Sequence, residues 1–125
     1  MSLNIAVLGE NPSLDGVVER LKVAAPDITF SARSASWAGV NTASAARPDI
    51  VLLDFETDDA IQLIREIRSQ GIRVVTISSR DDPKAVIRAM AAGADASMRT
   101  TDRSRDMLVQ LRLSASRAAL ISGRI

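Results

Sequence analysis

The stretch Pro48-Asp49-Ile50-Val51-Leu52-Leu53-Asp54 constrains this chain more than any other. Its run of aliphatic side chains is too short for a helical core and shows no alternation of apolar and polar positions. It therefore reads as a strand buried on both faces, the habit of parallel sheets covered by helices. A carboxylate at the C-terminal end of such a strand emerges at the sheet edge where open α/β folds bind their ligands. Asp54 is thus the first candidate for chemistry, although a strand-end aspartate taken alone is also a common turn former or helix cap.

The flanking sequence supplies the rest of an alternating pattern. Leu3 to Leu8 is a second mostly apolar run, and Asn11, Pro12 and Ser13 open a helix with Leu14, Val17, Val18 and Leu21 on one face. Asp27 to Ala32 alternates as an edge strand would, and Ser36 to Arg47 reads as a thin helix carrying Trp37, Val40 and Ala43. After the central strand, Ile61, Ile64 and Ile67 mark a helix closed by Gly71, with Asp58 and Asp59 expected to cap its start. Ile72 to Ser78 is the next apolar strand. Asp82 and Pro83 then open a helix whose buried face is expected at Val86, Ile87, Met90 and Ala91. Asp95 to Arg99 is a short strand, followed by a last helix carrying Met107, Leu108, Leu111, Leu113 and Ala115. Strands alternating with helices demand parallel crossovers. With the most apolar strands placed centrally, the order 2-1-3-4-5 follows: an α/β, flavodoxin-like three-layer sandwich of a five-stranded parallel sheet and five helices.

Composition narrows the chemistry. The 125 residues, 46% hydrophobic, suffice for one domain with a real core, and a net charge of +1 offers no field for nucleic acid or membrane. Cysteine and histidine are both absent, which removes disulfides, thiolate nucleophiles, zinc sites and a histidine base. Neither a membrane span nor a secretory signal is visible, and a cytoplasmic location is expected. Charge is uneven: Asp54, Glu56, Asp58 and Asp59 form an acidic cluster, while Arg99, Arg103, Arg105, Arg112, Arg117 and Arg124 make the tail basic.

At the switch point between strands one and three, Glu10 and Asp54 come near each other and strand four contributes Ser78. Two carboxylates and several waters suit Mg²⁺, with Glu10 and Asp54 as its candidate ligands. Such a metal would neutralise an incoming phosphoryl group, letting Asp54 act as nucleophile while the Ser78 hydroxyl donates to a phosphoryl oxygen. Glu10 reads equally as a solvated loop carboxylate, and Ser78 as a hydroxyl satisfied by backbone. Gly9-Glu10-Asn11-Pro12-Ser13 matches neither a dinucleotide fingerprint nor a P-loop, which disfavours nucleotide binding.

These residues resemble the receiver domains (CheY-like) of two-component response regulators over essentially the whole chain, 1–125. Pro48 to Asp54 is similar to the family's phosphoacceptor strand, and Val74-Val75-Thr76-Ile77-Ser78-Ser79 to the strand ending in its switch hydroxyl. Val86-Ile87-Arg88-Ala89-Met90-Ala91-Ala92-Gly93-Ala94-Asp95 is similar to the helix and turn before its fifth strand, particularly in regulators with a helix-turn-helix output domain. The resemblance implies Asp54 as phosphoacceptor, Glu10 as an acidic metal ligand and Ser78 as switch hydroxyl. It further implies a sensor histidine kinase as phosphodonor, no enzymatic activity of the domain's own, and signalling through the face of the fourth helix, fifth strand and fifth helix. The domain is expected to be the N-terminal part of a longer protein with an output module that binds DNA, to bind no nucleic acid itself, and to be able to form a homodimer.

The chain departs from that pattern at four places. Gly9 stands where the family has a second acid after strand one, Thr100 where it has a lysine, and Ser97 where it has an aromatic residue; the turn after Asp54 lacks the usual proline. Two functions follow. One is a phosphorylated switch of weakened response, which Thr100→Lys and Gly9→Asp are expected to strengthen. The other is a pseudo-receiver, an unphosphorylated protein-interaction module like the receiver-like domains of some pilus-assembly ATPases.

Overall fold

The computed structural model describes residues 3–43 and 47–122, arranged as five strands alternating with five helices. The elements are β1 (Asn4–Leu8), α1 (Ser13–Ala24), β2 (Thr29–Ser34), α2 (Trp37–Ala43), β3 (Ile50–Asp54), α3 (Ala60–Ser69), β4 (Arg73–Ser78), α4 (Pro83–Ala92), β5 (Ala96–Arg99) and α5 (Ser104–Ser122). The strands are all parallel and lie in the order β2-β1-β3-β4-β5, so the expected topology holds. Residues 44–46 of the expected second helix, the side chains of Ala43 and Arg117, and Arg124 lie outside the described residues.

β3 is buried along its whole length, as a central parallel strand should be, and its residues pack alternately into two cores. Ile50 and Leu52 join Ile5, Val7, Val75 and Ile77 beneath α1 and α5, which contribute Leu14, Val17, Leu21, Met107 and Leu111. Val51 and Leu53 join Ala6, Leu8 and Val74 on the other side, against Trp37 and Val40 of α2 and Ile64 and Ile67 of α3. Each buried aliphatic side chain of this size contributes about 1.5–3 kcal/mol.

Carboxylates at the N-terminal ends of two strands fix the sheet's far edge. Asp49 Oδ2 accepts from the backbone N–H of Asn4 at 2.8 Å. Asp95 Oδ2 accepts from the N–H of Val74 at 2.9 Å, while its other oxygen lies 3.5 Å from Nη1 of Arg73. These bonds set the register at the edge opposite the functional crevice.

Two expectations are corrected here. β2 begins at Thr29, not Asp27, where the Ile28 N–H is still held by the Ala25 carbonyl in the preceding turn, and runs to Ser34; its pairing with β1 shifts between Ile5 and Ala6, skipping Ser31. A bulge of this kind resets the alternation of side chains along the strand. In α4 only Ala89 is buried, whereas Val86, Ile87 and Met90 are 42%, 67% and 43% exposed and Ala91 is exposed as well. The helix packs instead on a row of small residues, Ala85, Ala89 and Ala92, spaced along one face. Leu113 of α5 is 50% exposed, and Ser114 takes the buried position, its hydroxyl donating to the carbonyl of Gln110 at 2.9 Å.

The ends of α4 follow the sequence signals. Asp82 Oδ1 accepts from the N–H of Lys84 at 3.0 Å, Pro83 occupies the first turn, and Gly93 closes the helix at φ 116°. The start of α3 does not: Asp59 stands at the cap position with φ 59°, and its side chain makes no capping bond. The expected capping by Asp58 and Asp59 is therefore replaced by backbone turns, with Thr57 N–H donating to Asp54 O at 3.0 Å and Ala60 N–H to Thr57 O at 3.2 Å.

Candidate functional site

The C-terminal ends of β1 and β3 open into a crevice of about 690 Å³, lined by Gly9, Glu10 and Asn11 from the loop after β1. Trp37 from α2, Asp54 at the end of β3, and Glu56, Asp58 and Asp59 after it complete its acidic floor and wall. Asp54 is 5% exposed, and Oδ1 accepts from the N–H of Glu56 at 3.0 Å. Burial raises its pKa above the ordinary aspartate value; the Glu56 N–H opposes this and the Glu56 charge adds to it. The sequence-predicted Asp54 and Glu10 thus share one crevice, but on different terms: Asp54 is buried and Glu10 is exposed.

Gly9 is part of how Asp54 is held. Its φ of +145° is one that side chains other than glycine's rarely adopt, and a Cβ there would lie 2.6 Å from Cβ of Asp54. Glycine is thus required by the backbone and by the close approach of β1 to the aspartate. The expectation that Gly9→Asp restores an acidic pair is corrected on that ground: no side chain fits without movement of β1 or Asp54.

Ser78 is not satisfied by backbone alone. Its hydroxyl accepts from the N–H of Arg80 at 3.0 Å and donates to Oε1 of Glu56 at 3.3 Å. The same glutamate oxygen accepts from the backbone N–H of Ser79 at 3.1 Å and from the Ser79 hydroxyl at 2.6 Å. These bonds, first of all that from the Ser79 hydroxyl, lower the pKa of Glu56, with nearby Arg80 contributing in the same direction. Glu56, Ser79 and Arg80 were missed as site residues from sequence. The signal was there in part: a second carboxylate two positions past Asp54, and a second hydroxyl beside Ser78.

At β5, Thr100 donates its N–H to the carbonyl of Ser78 at 3.0 Å, and its own carbonyl accepts from Nη2 of Arg20 at 2.8 Å. Arg99 is engaged elsewhere, 3.2 Å from Asp81 and 3.7 Å from Asp102. Ser97 accepts from the buried Thr76 hydroxyl at 3.0 Å, so the two form a polar pair across β4 and β5. Beside it lies a hollow of about 540 Å³ lined by Phe55, Val86, Ile87 and Met98 among others.

The donor set limits any metal. Among the described residues no three His, Cys, Asp or Glu side chains converge on one point. A dedicated cage is therefore not built here, and what the residues fit is an ion that keeps most of its waters and takes one or two carboxylates. Glu10, Asp54, Glu56, Asp58 and Asp59 are the carboxylate residues that line the crevice.

Comparison with solved structures agrees with the architecture. The signal receiver domain of the response regulator NarL from Mycobacterium tuberculosis superposes with a TM-score of 0.78 at 22% identity, over 92% of this chain and 97% of that one. A response regulator from Thermotoga maritima matches with a TM-score of 0.78 at 19% identity, over 93% and 99% of the two chains. A two-component response regulator of the LuxR family from Aurantimonas sp. SI85-9A1 also gives 0.78, at 17% identity over 93% and 86%. No protein-family model and no curated protein sequence matches the chain. The chain has the fold of response regulator receiver domains.

Proposed function

We propose that this chain is a receiver module of two-component signalling in which Asp54 accepts a phosphoryl group from the phosphohistidine of a sensor kinase. The observation that carries this reading is a buried carboxylate at the C-terminal end of the central strand, at the switch point, two residues from a turn bonded to the β4 hydroxyls. In the transfer, an Asp54 carboxylate oxygen bonds to phosphorus, the phosphorus–nitrogen bond of the donor breaks, and the donor imidazole leaves. Burial makes the Asp54 carboxylate more basic and so a better attacking group.

Glu10 and Asp54 would hold Mg²⁺ in this reading, and the ion would neutralise phosphoryl charge. Ser78 would turn its hydroxyl to the phosphoryl oxygen. The domain has no enzymatic output of its own; its product is a change of surface. Val86, Ile87 and Met90 on α4 and Val109 and Leu113 on α5 leave large apolar side chains exposed, which suits protein contacts and a homodimer. None of the described helices is long and apolar enough to cross a membrane. One matched structure is the N-terminal domain of a response regulator/sensory box/GGDEF three-domain protein from Carboxydothermus hydrogenoformans, and another is of the LuxR family. On that likeness this domain works in the cytoplasm as the front of a longer chain with an output module, binding no nucleic acid itself.

Thr100 offers a neutral donor where the phosphoryl group calls for a cation, and the missing charge-assisted bond, about 1.5–3 kcal/mol, would slow transfer roughly tenfold to a hundredfold. The reading is tested with beryllofluoride and Mg²⁺, followed by amide resonances around Asp54. Saturable shifts in the natural chain that vanish in Asp54→Asn support it. Their absence at millimolar beryllofluoride favours the unphosphorylated interaction module.

A further inference from the structure

We propose that the Glu56 carboxylate is the resting occupant of the oxyanion site at the end of β4, where Ser78 and Ser79 supply the donors, and that Arg80 supplies there the cation that β5 lacks. The inference rests on Asp54 being the phosphoacceptor. A single oxygen, Oε1 of Glu56, collects the Ser78 hydroxyl at 3.3 Å, the Ser79 N–H at 3.1 Å and the Ser79 hydroxyl at 2.6 Å. Converging N–H and O–H donors on one oxygen are what a phosphoryl oxygen requires. Arg80 and Arg88 line a hollow of about 240 Å³ together with Glu56, Ser78 and Asp82, and the charge of Arg80 acts on Glu56.

Glu56 is tied to both partners of the competition. Its N–H donates to Asp54 Oδ1 at 3.0 Å while its side chain holds the β4 donors. The Ser78 hydroxyl has one proton and spends it on Glu56. A phosphoryl group on Asp54 must take that proton and the two Ser79 donors from Glu56, and two anions repel at one receptor. Phosphorylation therefore displaces the Glu56 carboxylate and frees the turn after β3 from the loop before α4. Glu56 would thus both hold the resting state and weaken the response.

The test uses the full chain with acetyl phosphate and Mg²⁺, where the Asp54 oxygen–phosphorus bond forms, the donor's acyl oxygen–phosphorus bond breaks and acetate leaves. Glu56→Ala is expected to label about tenfold faster than the natural chain, Glu56→Gln in between, and Arg80→Gln about tenfold slower. Exchange of the Ser79 amide hydrogen is expected to quicken about tenfold in Glu56→Ala, which reads the resting contact without any phosphoryl transfer. Equal labelling rates in the natural chain, Glu56→Ala and Arg80→Gln overturn the proposal, as does unchanged Ser79 exchange. If no form is labelled, the phosphoacceptor reading falls. The receptor is then judged by inorganic phosphate, which must slow Ser79 exchange again in Glu56→Ala; failure to do so overturns the receptor as well.

Discussion

The β1 side of the crevice and its β4 side treat negative charge in opposite ways. On the β1 side the backbone closes on Asp54 through Gly9, with room for no Cβ, and leaves Glu10 exposed in the loop. On the β4 side a carboxylate has been added: Glu56 sits on three donors, and its pKa falls where that of Asp54 rises. Two acids two positions apart thus differ in sign of shift because one is desolvated and the other is hydrogen-bonded. The difference teaches that acid content is a poor guide to such a site; what each carboxylate touches decides its chemistry.

The largest effect should come from forcing an acid into the β1 side. Gly9→Asp combines a strained φ with a 2.6 Å approach to Asp54, and is expected to cost about 3 kcal/mol or more in urea unfolding. It should not speed labelling of Asp54. A stable Gly9→Asp protein that labels faster would show that the β1 backbone yields easily.

Next in size is the contrast between the helices flanking the site. Ile64 of α3 is fully buried and Ile87 of α4 is 67% exposed. Ile64→Ala should cost about 2–4 kcal/mol, and Ile87→Ala less than about 0.5 kcal/mol. A comparable loss at both positions, measured by chemical denaturation, would mean that α4 is covered in solution.

Smaller again is the change at β5. Thr100→Lys places a cation beside the carbonyl end of β4 and is expected to raise the rate of labelling by acetyl phosphate about tenfold, equivalent to about 1.4 kcal/mol. A null result with unaltered folding would contradict the reading that a missing cation at β5 slows transfer.

The smallest effect is on stability and depends on pH. Because the folded pKa of Asp54 is raised, the protonated form favours folding, and that contribution is lost as pH rises through the folded value. Asp54→Asn keeps an acceptor for the Glu56 N–H without the charge. It should therefore stabilise the chain by about 1 kcal/mol at neutral pH, a few degrees in Tm, with the gain shrinking below the folded pKa. A gain that grows on acidification would contradict desolvation as the main cause.

The sheet order was legible because β1, β3 and β4 are apolar on both faces while β2 and β5 are not, and burial on both faces leaves that mark in composition. The outward face of α4 was not legible. Val86, Ile87 and Met90 have the spacing of a buried stripe, but the alanines on the opposite face let the helix sit closer, and periodicity does not say which of two apolar faces turns inward. Asp54 could be read because its place depends on the strand that carries it. The role of Glu56 could not, since it is defined by donors more than twenty residues away, brought in by the β3–β4 pairing. Likewise Gly9 read as a missing acid until the strand ends were seen to touch.

The central claim, that Asp54 is the phosphoacceptor of a receiver module, is tested most directly by intact mass after incubation with acetyl phosphate and Mg²⁺. The natural chain should gain the mass of one phosphoryl group slowly and lose it in hydroxylamine, and Asp54→Asn should gain none. Equal labelling of Asp54→Asn, or no labelling of either the natural chain or Glu56→Ala, would contradict it.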